Sequence, residues 1–289
     1  MTEREALARW RTEAPRLVAE LCREWGLRVD GTAMAGAASS VVPVRRSTGE
    51  PAALKVGWPH PEAEHEHLAL RAWSGNGTVR LLRADPRRSA LLLERADPGH
   101  DLHSLPVREA CEVVAGLYSR LHRPAIPQLS RLSEHAARWT TSLAELRGMD
   151  VVPRRFVDQA AGLARAFADD PATDGALLHT DLHYANVLAA QREPWLVIDP
   201  KPMSGDPAYE VAPMLWNRWE EAVADGDPRG ATLERMFTLV DGGGLDEDRV
   251  RGWVVVRMMV NVWWAITAAA PDLETWITSA VTLVKAVQR

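Results

Sequence analysis

The stretch His179-Thr180-Asp181-Leu182-His183-Tyr184-Ala185-Asn186 sets a carboxylate and an amide five residues apart, and Asp199 follows thirteen residues later in Trp195-Leu196-Val197-Ile198-Asp199-Pro200. A carboxylate that can meet a hydroxyl, with an amide oxygen and a second carboxylate that can hold a divalent metal, is the set that phosphoryl transfer from a magnesium nucleotide needs. The H-x-D-x-x-x-x-N spacing supplies the first two groups from one short loop. The apolar run Leu196-Val197-Ile198 reads as a buried strand that delivers the third at its end. Asp181 is therefore the expected catalytic base, and Asn186 and Asp199 are the expected ligands of Mg2+. A zinc site built on His179 and His183 is the rival for this stretch. Strand-like residues flank it on both sides and no H-E-x-x-H glutamate is present, which disfavours a zinc helix.

Such a loop needs a partner that neutralises phosphate. Lys55 lies in the apolar strand Ala52-Ala53-Leu54-Lys55-Val56, where a lysine held by a helix carboxylate would face the α- and β-phosphates. The ordinary alternative is an edge-strand lysine pointing into water. Only Lys55, Lys201 and Lys285 occur among 34 basic residues, so each lysine stands against a strong arginine bias. In Pro61-Glu62-Ala63-Glu64-His65-Glu66-His67, Glu62 and Glu66 share a helix face at i, i+4 and Glu64 faces elsewhere. Glu66 is the preferred partner of Lys55, with Glu62 second. The small residues Ala35-Gly36-Ala37-Ala38-Ser39-Ser40 would let backbone N–H groups approach phosphates, with Ser39 and Ser40 as candidate contacts. No P-loop and no G-x-G-x-x-G accompanies them. Leu91-Leu92-Leu93-Glu94-Arg95-Ala96 reads as a strand end, where in a kinase architecture the backbone of Glu94 and Ala96 would meet the adenine edge.

The elements that would position these groups follow from apolar periodicity. Residues 4–25 read as two helices broken at Pro15. Strands 40–45 and 52–56 flank a turn and read as a hairpin. A helix over 61–73 stops at Ser74-Gly75-Asn76-Gly77, strands follow at 79–82 and 90–94, and 96–100 reads as a linker. Helices are expected at 106–122, 133–147 and 154–169, short strands near 177–179, 187–190 and 195–198, and helices again at 207–222, 229–240, 246–269 and 272–287. The class is α+β, with a small β-rich N-lobe over 1–96 and a larger helical C-lobe over 97–289.

Composition narrows the partners. A chain of 289 residues, 46% apolar and 25% charged, can bury a core in each of two lobes. The formal charge of −5 argues against a nucleic-acid partner. Gly252–Ile266 imitates a membrane span, but Arg257 and Asn261 near its centre favour a buried helix with a polar stripe. No signal peptide is visible, and a soluble, cytoplasmic chain is expected, with a monomer favoured. Cys22 and Cys111 read as buried free thiols. Of the twelve tryptophans, Trp253, Trp263, Trp264 and Trp276 read as packing residues. Trp216 and Trp219, near Glu220, Glu221, Asp225 and Asp227, could instead hold a cation.

Taken together these residues resemble the aminoglycoside phosphotransferase family, and within it the streptomycin 6-phosphotransferase and hydroxyurea phosphotransferase branch. The likeness is carried by Ala52–Val56, Leu70-Arg71-Ala72-Trp73, Leu91–Arg95, Leu178–Leu188, Arg192–Pro202 and Gly205-Asp206-Pro207-Ala208-Tyr209-Glu210. It implies a protein-kinase-like bilobal fold, ATP as donor and O-phosphorylation of a small antibiotic, most simply a streptomycin-like one. Within it Asp181 falls on the catalytic base, Asn186 and Asp199 on the metal ligands, and Lys55 on the phosphate lysine. Asp206 falls on a position expected to brace the catalytic loop. Thr180 stands where regulated protein kinases carry arginine, so control by an activation-loop phosphate is not expected. Hydroxyurea, a peptide antibiotic or an unrelated small alcohol as acceptor, choline- or sugar-kinase-like metabolism, and a nucleotide-binding pseudokinase remain alternatives at this point.

Overall fold

Val42 and Val44, like Leu54 and Val56, recur at every second position, so one face of each segment must be covered. The computed structural model, which describes residues 3–36 and 38–288, places both in an antiparallel sheet; Ala37 of the small-residue turn lies outside the described residues. The chain divides into two compact units, Met1–His100 with Leu188–Lys201, and Asp101–Val187 with Pro202–Arg289. In the first unit, α1 (Glu3–Trp25) precedes β1 (Arg28–Val29), β2 (Met34–Ala35), β3 (Ser39–Arg45) and β4 (Pro51–Gly57), followed by α2 (Glu66–Trp73), β5 (Leu81–Asp85) and β6 (Ala90–Glu94). Strand order is β1-β3-β4-β6-β5, with β2 also paired to β3. Lys55 is opposite Val41 on one side and Leu91 on the other, so its strand is central and not an edge. Leu54 and Val56 face the core with Val42, Val44, Ala90 and Leu92, against Val18, Leu21 and Cys22 of α1. Alternation then sends Lys55 to the opposite face.

Two expectations in this unit are corrected. Pro15 does not split α1, which runs unbroken from Glu3 to Trp25. Ala14, Val18, Leu21 and Cys22 bury one stripe spanning the proline, and that packing outweighs the hydrogen bond that Pro15 cannot donate. Replacing Pro15 with alanine should therefore stabilise the protein by about 2 kcal/mol, the proline penalty less its entropic benefit in the unfolded chain. Urea unfolding would show the midpoint rising. The helix expected over 61–73 is also interrupted: a 3-10 turn at Pro61–Ala63 precedes α2, which ends on Ser74 in the left-handed conformation.

The segment Leu188–Lys201, which the sequence reading left with the C-lobe, belongs to the first unit. Val79 N–H donates to the Val197 carbonyl at 3.0 Å and Val197 N–H to the Gly77 carbonyl at 2.9 Å. That pairing also explains why β5 starts at Leu81 and not at Val79. Asp97–Asp101, which overlaps the linker expected over 96–100, forms a strand.

The second unit is helical: α3 (Val107–Leu121), α4 (Leu132–Met149), α5 (Arg154–Asp169), α6 (Ala212–Trp216), α7 (Trp219–Ala224), α8 (Pro228–Gly243), α9 (Glu247–Thr267) and α10 (Leu273–Val287). α3 packs on α8, α4 on α5, and α9 on both α5 and α10. The helix expected over 207–222 is three pieces, a 3-10 turn at Pro207–Val211, then α6, then α7. Buried Arg235 accounts for the break between the last two, donating to the Asn217 and Arg218 carbonyls at 3.1 Å each. Trp253 is fully buried, but Trp264 and Trp276 are 43% and 37% exposed. α9 emerges from the core beyond Val262, which exposes Trp264, and Trp276 lies near the start of α10, so those two do not serve the core as expected. Among the described residues no helix is long and apolar enough to cross a membrane. Cys22 and Cys111 are free and buried.

Candidate active site

In the first unit the Lys55 ammonium lies 2.7 and 2.6 Å from the two Glu66 carboxylate oxygens and also bonds Asp199 Oδ1. Glu62 is exposed on the preceding 3-10 turn. Lys55 and Glu66 are 7% and 4% exposed, and charges so buried must be paired. Burial pulls the Lys55 ammonium down, but the Glu66 and Asp199 carboxylates outweigh it and hold the lysine above its ordinary value. It stays charged throughout the physiological range. Asp199 has a φ of 57°, in the left-handed region, and keeps nearly half of its side chain exposed. A residue so placed is held by its surroundings, a common arrangement at functional sites.

A cavity of about 820 Å³ adjoins this cluster, its wall including Gly36, Ser39, Lys55, Glu66, Asp199 and Lys201. A Cβ on Gly36 would lie 2.9 Å from Ser39 Oγ, so the turn has room for a small residue only. Space, small residues and fixed cations fit a polyphosphate. Ser40 does not line this cavity; it is the next residue along β3, paired with Val56, and faces the other way. Glu94 and Ala96 do not line it either. The Glu94 N–H is committed to the Arg80 carbonyl at 2.9 Å, and the Glu94 carboxylate takes two hydrogen bonds of 2.9 Å from Arg192. Arg192, despite burial, keeps that carboxylate below its usual range.

In the second unit, strand Ala176–Leu178 pairs with Met203–Gly205 and leads directly into the motif loop. His179 is fully buried and its Nδ1 accepts the Asp181 N–H at 3.2 Å. Asn186 Nδ2 donates to the Asp181 carbonyl at 2.8 Å, closing the loop on itself. The Asp181 carboxylate is part-exposed, 3.9 Å from His183 Nε2. Asn186 Nδ2 also lies 3.2 Å from His183 Nε2, so the oxygen Oδ1 is what this amide has to offer a cation. Amide and carboxylate oxygens are hard donors of the kind magnesium takes. Among the described residues no cluster of three or more His, Cys, Asp or Glu side chains is arranged to hold a metal.

Two residues with no assigned role grip this loop. Thr180 has a φ of 64°, an unfavourable conformation for a β-branched residue. Its N–H donates to Glu210 Oε1 at 2.6 Å, and its carbonyl accepts from Arg257 at 3.1 Å. Arg257 also reaches the Tyr209 carbonyl at 3.3 Å, its guanidinium 4.1 Å from the Tyr209 ring centroid and 4.8 Å from that of Trp216. The second Glu210 oxygen meets His122 Nε2 at 3.1 Å. Burial pushes the Glu210 carboxyl up, yet His122, His179 and the Thr180 N–H more than offset it and hold it low. Asp206, expected to brace the loop, caps the Pro207–Val211 turn through Ala208 N–H and accepts from Arg249 and Trp253 of α9 at 2.6 and 2.7 Å. The direct brace is Glu210. An acid isolated in the apolar run from Ala208 to Leu215 is the sequence signal that marks it.

Comparison with known proteins now places both the fold and the chain. An aminoglycoside phosphotransferase solved with ADP and hygromycin B matches with a TM-score of 0.60 at 17% identity, covering 93% of this chain and 97% of that one. The fold is therefore that of the kinase-like phosphotransferases: bilobal α+β, with a small β-rich N-lobe and a larger helical C-lobe. The chain belongs to the aminoglycoside/hydroxyurea antibiotic resistance kinase family, whose profile matches residues 24–268. It is 41% identical to a streptomycin 6-kinase of Streptomyces griseus over 270 residues, 91% of this chain and 88% of that one. It is 42% identical to a hydroxyurea phosphotransferase of Kitasatospora aureofaciens over 271 residues, 90% of this chain and 76% of the relative. It is a phosphotransferase acting on a hydroxyl group.

Proposed function

We propose that the protein moves the terminal phosphoryl group of ATP to a hydroxyl of a streptomycin-like aminoglycoside and so inactivates it, in the cytoplasm and as a monomer. The observation that carries this reading is the hydrogen-bonded loop that presents the part-exposed Asp181 carboxylate, in a chain 38% and 41% identical to streptomycin 6-kinases. The N-lobe's share is nucleotide binding: Lys55, held by Glu66, faces the phosphates, and Ser39 supports them. The C-lobe's share is the acceptor. Asp181 accepts the substrate hydroxyl's hydrogen bond and takes its proton as the new O–P bond forms and the bridging bond to the leaving diphosphate breaks. Asn186 and Asp199 each offer a hard oxygen of the kind Mg2+ takes, and the metal would offset charge on the transferring group when bound.

Hydroxyurea is the second reading, favoured by the 42% identical relative that bears that activity in its name. Ionic strength separates the two. An acceptor carrying guanidinium groups should show a KM that rises severalfold between low and high salt, whereas a neutral acceptor should not. The exposed acids Glu220, Asp225 and Asp227 on and after α7 would contribute to that attraction. The test is a coupled ADP-release assay with streptomycin, other aminoglycosides, viomycin-type peptides and hydroxyurea. Streptomycin-dependent ADP release is expected. Release with hydroxyurea alone would replace the first reading with the second, and no release with any acceptor would refute both.

A further inference from the structure

Two of the three lysines in this arginine-rich chain, Lys55 and Lys201, line the same 820 Å³ cavity. Lys55 is already committed. Its one positive charge answers two carboxylates, Glu66 and Asp199. A polyphosphate entering this cavity brings several more negative charges into a partly desolvated space. Further positive charge on the wall is required, because uncompensated like charges there are costly.

Lys201 is built to supply it. It stands two residues beyond Asp199, half-buried, between Pro200 and Pro202. Each proline fixes its own φ, and Pro202 also confines the backbone of Lys201. The ammonium's stem therefore starts from a stiff anchor. Its charge reaches the cluster: burial leaves the Glu66 carboxyl raised overall, and Lys201 acts with Lys55 against that rise. An ammonium is also a compact point charge, unlike arginine's planar fork.

We propose that Lys201 is a second phosphate-binding cation of this cavity, contacting the polyphosphate of the nucleotide directly. The proposal deepens the nucleotide-dependent reading above and rests on it. It adds a second cation to the wall: Lys55 faces the phosphates while it pairs with Glu66 and Asp199, and Lys201 supplies further attraction.

Calorimetric titration of wild type, Lys201→Met and Lys201→Arg with ATP, ADP and adenosine in magnesium buffer tests this without an acceptor. A hydrogen-bonded charge pair of this kind contributes about tenfold or more to affinity. Lys201→Met should weaken ATP and ADP about tenfold, leave adenosine unchanged, and melt at the wild-type temperature without ligand. Lys201→Arg should recover only part of the loss. Unchanged ATP affinity in Lys201→Met, or an equal loss for adenosine, would overturn the assignment and leave the proposed activity standing. A wild-type protein that binds no ATP would overturn both together.

Discussion

Asp181→Asn should lower kcat by about two orders of magnitude or more, with ATP affinity within about twofold of wild type. The substitution is nearly isosteric, and the contacts that hold the loop are backbone ones. The Asp181 N–H still meets His179 Nδ1, and the Asp181 carbonyl still accepts from Asn186. What changes is the side chain's chemistry. An amide presents a donor where the carboxylate could only accept, and it cannot take the hydroxyl proton as the O–P bond forms. Affinity for nucleotide is spared because Lys55, Glu66 and Asp199 are untouched and belong to the other compact unit. Steady-state rates with streptomycin, set beside ATP titration of the same preparation, separate the two effects. Turnover near wild type would remove Asp181 from the base position.

The pairing of Lys55 with a helix carboxylate was legible in the sequence. Lys55 stood out as a charge inside an apolar strand, and the structure sets it in the central strand of the sheet with Glu66 beside it. The choice between Glu66 and Glu62 was harder, because i, i+4 counting assumes one continuous helix. The 3-10 turn at Pro61–Ala63 breaks that assumption, and only residues from Glu66 onward follow the α2 frame. Pro15 misled in the opposite sense, since local propensity cannot weigh the burial of Leu21 and Cys22 a turn or two further on. Glu210 and Arg257 had no readable role at all. Each acts on the backbone of Thr180, from 30 and 77 positions away along the chain. A main-chain partner imposes no residue type and leaves no spacing to count. Their only trace is polarity where the surroundings are apolar, which marks a buried polar group but not what it touches.

That contact defines the second large effect. Glu210→Leu should destabilise the protein by about 3–5 kcal/mol, because it strands a half-buried histidine and a buried backbone N–H. His122 Nε2 loses its partner, and Thr180, at φ 64°, loses the acceptor that helps hold it there. Relaxation of Thr180 would shift its neighbour Asp181, and a displacement of about 1 Å can cost about 100-fold in rate. Glu210→Gln separates packing from charge. Its amide oxygen can still accept from Thr180, so kcat should stay within a few-fold of wild type while the stability credited to the charge is lost. The sign with pH follows from the depressed carboxyl. Stability due to the Glu210 charge is complete above the ordinary glutamate value of 4.5 and disappears as pH falls through the lower folded value. Thermal unfolding of wild type and Glu210→Gln should therefore show a gap at neutral pH that closes on acidification below about 4.5. A gap of constant size down to the acid limit, or a Gln variant as slow as the Leu variant, would mean that Glu210 fills space near the loop without holding Thr180 in place.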